Sequence, residues 1–184
     1  MIHNQDRSGW FGASDTDKIM GNWNTQTFRN WWLVKLGIRK ENFTTIAMQT
    51  GTALEHRILE HIGIKKMDRQ IKIRELLLRV NLDGENKNTI KEVKTHGKET
   101  FVVSKPYWQQ AQVEMFVTGK SLDIVSYRLT PEDYENWFLP IDGDRLKENH
   151  VEYDPVWVYE KYLPRLRYLA RCLKKGVWPD EIPH

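Results

Sequence analysis

The sequence is poor in cysteine and has no long apolar run. Of its 184 residues, one is a cysteine, Cys172. A single thiol excludes a disulfide framework within the chain and a four-cysteine zinc or iron–sulfur site, so a reducing cytoplasm is the expected compartment. No apolar run approaches the ~20 residues that a membrane-spanning helix needs, and residues 1–6 lack the apolar stretch of a signal peptide. We therefore expect a cytoplasmic protein without membrane association.

The sequence also lacks internal repeats and low-complexity tracts, and its formal net charge is only +3. That charge is unevenly spread, because residues 132–154 are mainly acidic and residues 156–175 are mainly basic. Apolar residues recur in the second segment at spacings of three and four, which predicts a helix, and Pro164 should kink or divide it. Its basic residues form either a solvated face or a path for a DNA backbone. They are Arg165, Arg167, Arg171, Lys174 and Lys175.

Two acidic residues and a lysine lie near the middle of the chain, at Asp83, Glu92 and Lys94. The flanking residues are rich in β-branched types and residues 84–88 have turn composition, so the segment predicts a β-hairpin. Side chains two apart on a strand share a face, so Glu92 and Lys94 point one way and Val93 the other. Carboxylates bind Mg²⁺ or Mn²⁺, and an ammonium can orient or deprotonate a water. The alternative is a solvated hairpin with a cross-strand ion pair.

A third acid, Glu55, lies in a segment with helical periodicity. At about 100° per residue, Glu55 falls inside the apolar arc that Leu54 and Ile58 define, whereas Glu60 falls on the polar face. A carboxylate on a core-facing stripe needs a partner, because an unpaired buried charge is costly. Glu55 is therefore either aimed at the same site or paired with a nearby arginine.

Two further segments carry polar residues in unusual places. Residues 106–118 predict a mostly buried helix with three glutamines, which either bond to nearby backbone or position a water or a phosphate. Near the N-terminus, Ser14 is an expected N-cap with Asp17 at the capping-box position. A helix N-terminus with Arg7 nearby is alternatively a phosphate site.

The order of these motifs resembles that of the PD-(D/E)xK nucleases, in particular the phage lambda exonuclease and YqaJ-like viral recombinase branch. The resemblance covers about residues 7–129, and one departure is Asn81-Leu82 where the family has a small residue and proline before the motif aspartate. The matching segments are Arg7 with residues 13–15, then residues 51–55, 82–84, 92–94 and 107–119.

The resemblance implies a role for each matching residue. Asp83 and Glu92 would bind Mg²⁺, for which Mn²⁺ can substitute, with help from the backbone carbonyl of Val93. Lys94 would orient or activate the attacking water, and Glu55 would assist a second metal or a ligand water.

Other implied roles concern the substrate and its partners. Gln110 matches the active-site glutamine of the family, and Arg7 and Ser14 match positions that meet a 5′-terminal phosphate. The family further implies double-stranded DNA ends as substrate, a single-strand annealing protein as partner, a ring-shaped homotrimer, and the cytoplasm of a bacterial or phage-infected cell.

The expected function is a metal-dependent deoxyribonuclease, a 5′→3′ exonuclease on double-stranded DNA ends, and the family resemblance implies that it prepares these ends for recombination. Two alternatives stay open. One is an endonuclease on the same fold, either structure-specific or restriction-like. The other is a catalytically silent module that binds DNA or a partner protein, although the complete set of Asp83, Glu92 and Lys94 argues against it.

The predicted fold is α/β, with a central mixed β-sheet flanked by helices and a restriction-endonuclease-like core. One domain spans residues 1–184, with a motif-bearing core at about 7–129 and a helical part at about 131–184. The expected helices cover residues 14–20, 25–37, 48–63 and 106–118, followed by a short acidic helix from Pro131 and the C-terminal helix. The expected strands cover about 70–82, 89–95 and 122–129.

Overall fold

The fold is built on one five-stranded sheet. The computed structural model describes residues 7–40 and 44–180. The strands lie side by side in chain order, so each strand is hydrogen-bonded to the strands that precede and follow it in the sequence. Their bounds are β1 Lys66–Ile73, β2 Leu78–Glu85, β3 Thr89–His96, β4 Ser121–Arg128 and β5 Leu146–Val151.

The sheet is mixed. Strands β1, β2 and β3 are antiparallel neighbours, and β5 is antiparallel to β4. The central pair β3 and β4 is parallel from Thr89↔Ser121 to His96↔Arg128. A parallel pair needs a crossover connection, and a helix at Lys105–Thr118 supplies it. The predicted α/β class with a mixed sheet is therefore confirmed.

Helices cover both faces of the sheet. Their bounds are α1 Thr16–Met20, α2 Gln26–Lys35, α3 Ile46–His61, α4 Lys105–Thr118, α5 Pro131–Glu135, α6 Pro155–Trp157 and α7 Leu163–Lys175. The larger core includes buried side chains of α2, α4 and α7, and the smaller core lies under α3. Val93 belongs to the smaller core, so it points away from α4, as the strand alternation predicted.

The strands differ from the prediction in two places. The single strand expected over residues 70–82 is wrong, because a 3-10 turn at Arg74–Leu76 divides it into β1 and β2. Leu77 ends that turn with φ of 50°, a left-handed conformation that breaks an extended chain. Strand β5 was not expected, since its exposed polar residues show no clear alternation.

The C-terminal helix is divided, as Pro164 predicted. A π-helical turn at Val158–Tyr162 separates α6 from α7, and Pro164 lies in the first turn of α7. Proline has no backbone N–H to donate, which frees a carbonyl in the preceding turn and favours such a bulge. Helix α7 then packs on α1 through the larger core. None of the helices in the described residues is long and apolar enough to cross a bilayer.

Candidate active site

The predicted site lies where β2 and β3 separate. These strands pair only at Gly84↔Lys91 and Glu85↔Ile90, after which β3 stays paired with β4 and β2 with β1. Asp83 is the first residue of β2 beyond the paired end. Its Oδ2 accepts a hydrogen bond from the backbone N–H of Val93 at 2.9 Å. A carboxylate therefore lies inside the gap beside β3.

Glu92 and Lys94 share the face of β3 that looks toward α4, as predicted. Lys94 Nζ lies 2.7 Å from Glu92 Oε1, and Glu92 is only 4% exposed. The ammonium of Lys94 also lies over the ring of Tyr107, 4.9 Å from its centroid, in a cation–π arrangement. Lys94 is thus held in place by a carboxylate and by an aromatic face.

Gln110 completes this group from α4. Its Nε2 donates to Glu92 Oε1 at 2.6 Å, and its Oε1 accepts from Lys94 Nζ at 3.3 Å. The spacing of the glutamines on the helix decides their roles. Gln112 points elsewhere, donating to the carbonyl of Glu152 and accepting from the N–H of Asp154. Among the glutamines of this helix, Gln110 contacts the predicted site and Gln112 is structural.

Glu55 approaches the same place from α3. Burial raises the pKa of Glu55 to about 7, and the negative charge of Glu92 adds to the shift. Glu60 is exposed on the opposite side of α3. The effect of Glu92 on Glu55 agrees with the helical-arc argument that Glu55 lies near the other acids, and its role at a metal site stays a prediction.

Burial and the negative charge of Glu92 raise the pKa of the neighbouring acids Asp83 and Glu55. Burial raises the pKa of Asp83 well above its ordinary value, and the charges of Glu92 and Glu55 raise it further. Burial lowers the pKa of Lys94, but the charges of Glu92 and Asp83 outweigh that effect and raise it above its usual value. One ammonium thus faces several carboxylates, so the site has an excess of negative charge that a cation would relieve.

Sequence reasoning missed His56 and Asp68. Glu55, His56 and Asp68 each present one ligand atom, and these three atoms lie within 4.8 Å of one another. His56 Nε2 lies 2.9 Å from Asp68 Oδ2, and Asp68 has a left-handed φ of 56° in β1. Glu55 joins this group to the predicted one. In the sequence, the position of His56 next to Glu55 was the one signal for this group. Asp68 could be found only once the placement of β1 in the sheet was known.

Glu114 was missed as well. It is completely buried on α4, and its Oε1 accepts from Gln110 Nε2 at 2.8 Å. Burial raises the pKa of Glu114 well above its ordinary value, and the charge of Glu92 raises it further. Its position four residues after Gln110 places both on one helix face, which was the one signal for it in the sequence.

The residues predicted to meet a 5′-phosphate lie at the N-terminal end of the described chain. The predicted Ser14 N-cap with an Asp17 capping box is wrong, because a 3-10 turn at Ala13–Asp15 precedes α1 and Asp15 Oδ2 accepts from the N–H of Gly12 at 2.7 Å. Ser14 is exposed on this turn, which packs against α4. Arg7 is exposed too.

The basic residues of α7 have different environments. The guanidinium of Arg165 donates to the carbonyls of Met20 and Gly21 at 3.0 and 3.3 Å, so it caps the end of α1. Lys174 Nζ donates to the carbonyl of Glu75 at 3.2 Å. Arg167 and Arg171 are exposed. A DNA contact stays a prediction for these residues, and Arg165 has a structural role in any case.

Two solved structures resemble this chain over nearly its full length. An alkaline exonuclease (LHK-Exo) from Laribacter hongkongensis matches with a TM-score of 0.63 and 21% identity, covering 92% of this chain and 93% of its own. A phage related exonuclease from Haemophilus somnus 129PT matches with a TM-score of 0.64 and 13% identity, covering 91% and 92%. The chain has the fold of these exonucleases. No protein-family model and no curated protein matches it.

Proposed function

We propose that the protein is a divalent-metal-dependent deoxyribonuclease that digests double-stranded DNA from its 5′ ends. The observation that carries this proposal is the convergence of Asp83, Glu92, Lys94 and Gln110 at the gap between β2 and β3. The same fold occurs in two proteins described as exonucleases. A fold alone does not define an activity, so the proposal depends on the side chains in the gap.

The residues present suit a hard divalent cation. Carboxylate oxygens are the ligands that Mg²⁺ and Mn²⁺ prefer, and burial together with the charge of Glu92 raises the pKa of both Asp83 and Glu55. Glu92 Oε2 is also buried and accepts no hydrogen bond from a nitrogen donor in the described part of the chain. Asp83, Glu92 and the carbonyl of Val93 would hold the ion, with Glu55 beside it. Such an ion supplies charge stabilisation and makes water a better nucleophile.

The remaining roles belong to the chain itself. Lys94 donates hydrogen bonds from a position that Glu92, Gln110 and the ring of Tyr107 define. An ammonium fixed in this way orients a water toward a phosphodiester and stabilises negative charge that develops during in-line attack. Gln110 fixes the Glu92 carboxylate through its amide N–H. These contacts support the proposed roles of Lys94 and Gln110 in phosphodiester hydrolysis.

The proposal that the protein acts from 5′ ends depends on residues near the N-terminus. Ser14 is exposed on the turn Ala13–Asp15, which packs against α4, the helix of Gln110, and the exposed Arg7 lies in the segment that leads to this turn. We infer that they bind a 5′-terminal phosphate and so place the first phosphodiester at the site. The ring-shaped trimer, the annealing partner and the role in recombination are further predictions of this proposal.

The test compares three substrates with Mg²⁺ and with a chelator: linear duplexes with 5′-phosphate, the same duplexes with 5′-hydroxyl, and covalently closed circles. The wild-type protein should degrade phosphorylated ends fastest and leave circles intact. Arg7→Ala should be slower on phosphorylated ends and nearly indifferent to the phosphate, with Arg29→Ala as a surface control. Rapid cutting of circles would favour the endonuclease, and equal wild-type rates on both ends would remove the phosphate site.

A further inference from the structure

Glu114 is a buried acid that has no role in the proposed hydrolysis as described so far. It lies on the buried side of α4 and has no exposed surface. A carboxyl group is costly to bury unless its oxygens are hydrogen-bonded. Its Oε1 accepts from Gln110 Nε2 at 2.8 Å, whereas its Oε2 is buried without a nitrogen donor among residues 7–40 and 44–180, and its carboxyl group also lies within hydrogen-bonding range of the Glu92 carboxylate. A side chain that served packing alone would not need a carboxyl group here.

The contacts of Glu114 determine which way the Gln110 amide faces. An amide has two N–H donors on one side and a carbonyl acceptor on the other. Gln110 Nε2 donates both to Glu92 Oε1 at 2.6 Å and to Glu114 Oε1 at 2.8 Å. With its nitrogen engaged by two acceptors, Gln110 presents its Oε1 to Lys94 Nζ. Removal of Glu114 leaves the nitrogen with one of these two acceptors and loosens this orientation.

We propose that Glu114 is a positioning residue, whose carboxyl group fixes the Gln110 amide so that Gln110 in turn holds Glu92 and Lys94 in the arrangement that hydrolysis requires. The inference rests on the proposed nuclease function, because only a reaction needs this geometry. Removal of a group that hydrogen-bonds to a metal ligand without touching the metal typically lowers metal affinity or activity by about 10–100-fold.

Gln112 provides a matched control on the same helix. It is also fully buried, and it too makes two hydrogen bonds, at 2.8 Å to the carbonyl of Glu152 and at 2.7 Å from the N–H of Asp154. It therefore ties α4 to the segment that precedes α6. Gln112→Leu should lower the free energy of unfolding without changing the orientation of Gln110.

The experiment uses Glu114→Leu, Glu114→Gln, Gln112→Leu, Gln110→Ala and the double variant Gln110→Ala/Glu114→Leu. For each folded variant, we would measure kcat and KM on a linear duplex, and Mn²⁺ affinity without DNA by calorimetry. Glu114→Leu should lower kcat or Mn²⁺ affinity by about 10–100-fold with little change in KM. Glu114→Gln keeps an acceptor for Gln110 Nε2 and should recover most of the loss.

The double variant tests whether Glu114 acts through Gln110. Residues that act as one unit are not additive, so the double variant should be no slower than Gln110→Ala alone. Additive losses, or equal effects of Glu114→Leu and Gln112→Leu on kcat, would overturn the proposal.

The Mn²⁺ measurement separates this proposal from the proposed function. A wild-type protein that cleaves no DNA would refute the nuclease, and the Mn²⁺ affinities would then decide the role of Glu114 alone. An unchanged Mn²⁺ affinity in Glu114→Leu would in that case overturn the positioning role.

Discussion

Asp83 and Glu85 lie two residues apart on β2, and their surroundings are opposite. Glu85 is buried and pairs with Lys66, Arg69 and Lys120 at 2.7, 2.9 and 2.6 Å. Burial raises the pKa of Glu85, but the hydrogen bonds from Lys120 and Lys66 outweigh burial and lower it below its ordinary value. Asp83 faces other acids, and its pKa is raised. Glu85 therefore has its cations within the chain, whereas the cation that Asp83 would bind is the metal ion of the proposed function.

This difference separates a structural acid, Glu85, from a proposed metal ligand, Asp83. The two residues are both acidic and share a strand, and burial raises the pKa of each. The charges around each carboxylate make the shifts opposite, since a carboxylate with three cations is neutralised and a group of carboxylates attracts a metal ion. The variants below test this comparison, from the largest expected effect to the smallest.

Asp83→Asn should lower kcat by at least about 1,000-fold, as expected when a group central to a reaction is removed. It should not lower the free energy of unfolding measured in chelator, because the substitution removes a charge that other acids oppose. Initial rates on a linear duplex check the expected loss of kcat, and chemical denaturation checks the free energy of unfolding. A loss of stability with rates unchanged would reverse the assignment of Asp83 and Glu85.

Lys94→Ala should lower kcat by about 100-fold, since the ammonium is proposed to orient the water and stabilise developing charge. Mn²⁺ affinity should not fall, because removal of a cation leaves the acids of the site more negative. Calorimetry and single-turnover rates give both quantities. If DNA binding fell as much as the rate, Lys94 would be a phosphate contact instead.

Glu85→Gln should lower the free energy of unfolding at pH 7 by about 1–3 kcal/mol, the usual cost of losing hydrogen bonds to a charged group, and should leave kcat nearly unchanged. A group whose pKa is lowered on folding contributes stability above its unfolded value of 4.5 that is lost as the pH falls through the folded value. The wild-type advantage over Glu85→Gln should therefore shrink below pH 4.5. A pH-independent difference between the two proteins would contradict this account.

Glu55→Gln should change the slope of stability against pH in chelator. The folded pKa of Glu55 is raised from 4.5 to about 7, so its contribution is complete below pH 4.5 and is lost as the pH rises toward 7. The free energy of unfolding of wild type should fall across this window, and Glu55→Gln should flatten part of that fall. Glu60→Gln, on the exposed face of α3, is the control. Equal slopes for Glu55→Gln and wild type would place Glu55 outside the charged site.

Much of the site could be predicted because it follows local periodicity. Alternation along β3 placed Glu92 and Lys94 together, and the helical arc placed Glu55 beside them. Glu114 could not be found in this way, because an acid in an otherwise apolar helix is informative only once its burial and its neighbour Gln110 are known. Asp68 needed the pairing of β1 with β2, which a sequence pattern does not fix.

The errors in the fold have local physical causes. The division between β1 and β2 depends on Leu77 in a left-handed conformation, which is uncommon for a residue other than glycine. Strand β5 is an edge strand with exposed polar residues, so it shows no alternation. The N-cap prediction failed because Asp15, rather than Ser14, accepts the hydrogen bond of the first turn.

The most direct test of the central claim is the rate of nucleotide release from a linear duplex with and without Mg²⁺, measured for wild type, Asp83→Asn and Glu85→Gln. The account predicts Mg²⁺-dependent release by wild type and by folded Glu85→Gln, and almost none by Asp83→Asn. Release that continues in chelator, or that survives in Asp83→Asn, would contradict the claim that the acids at the gap between β2 and β3 bind the metal that cuts DNA.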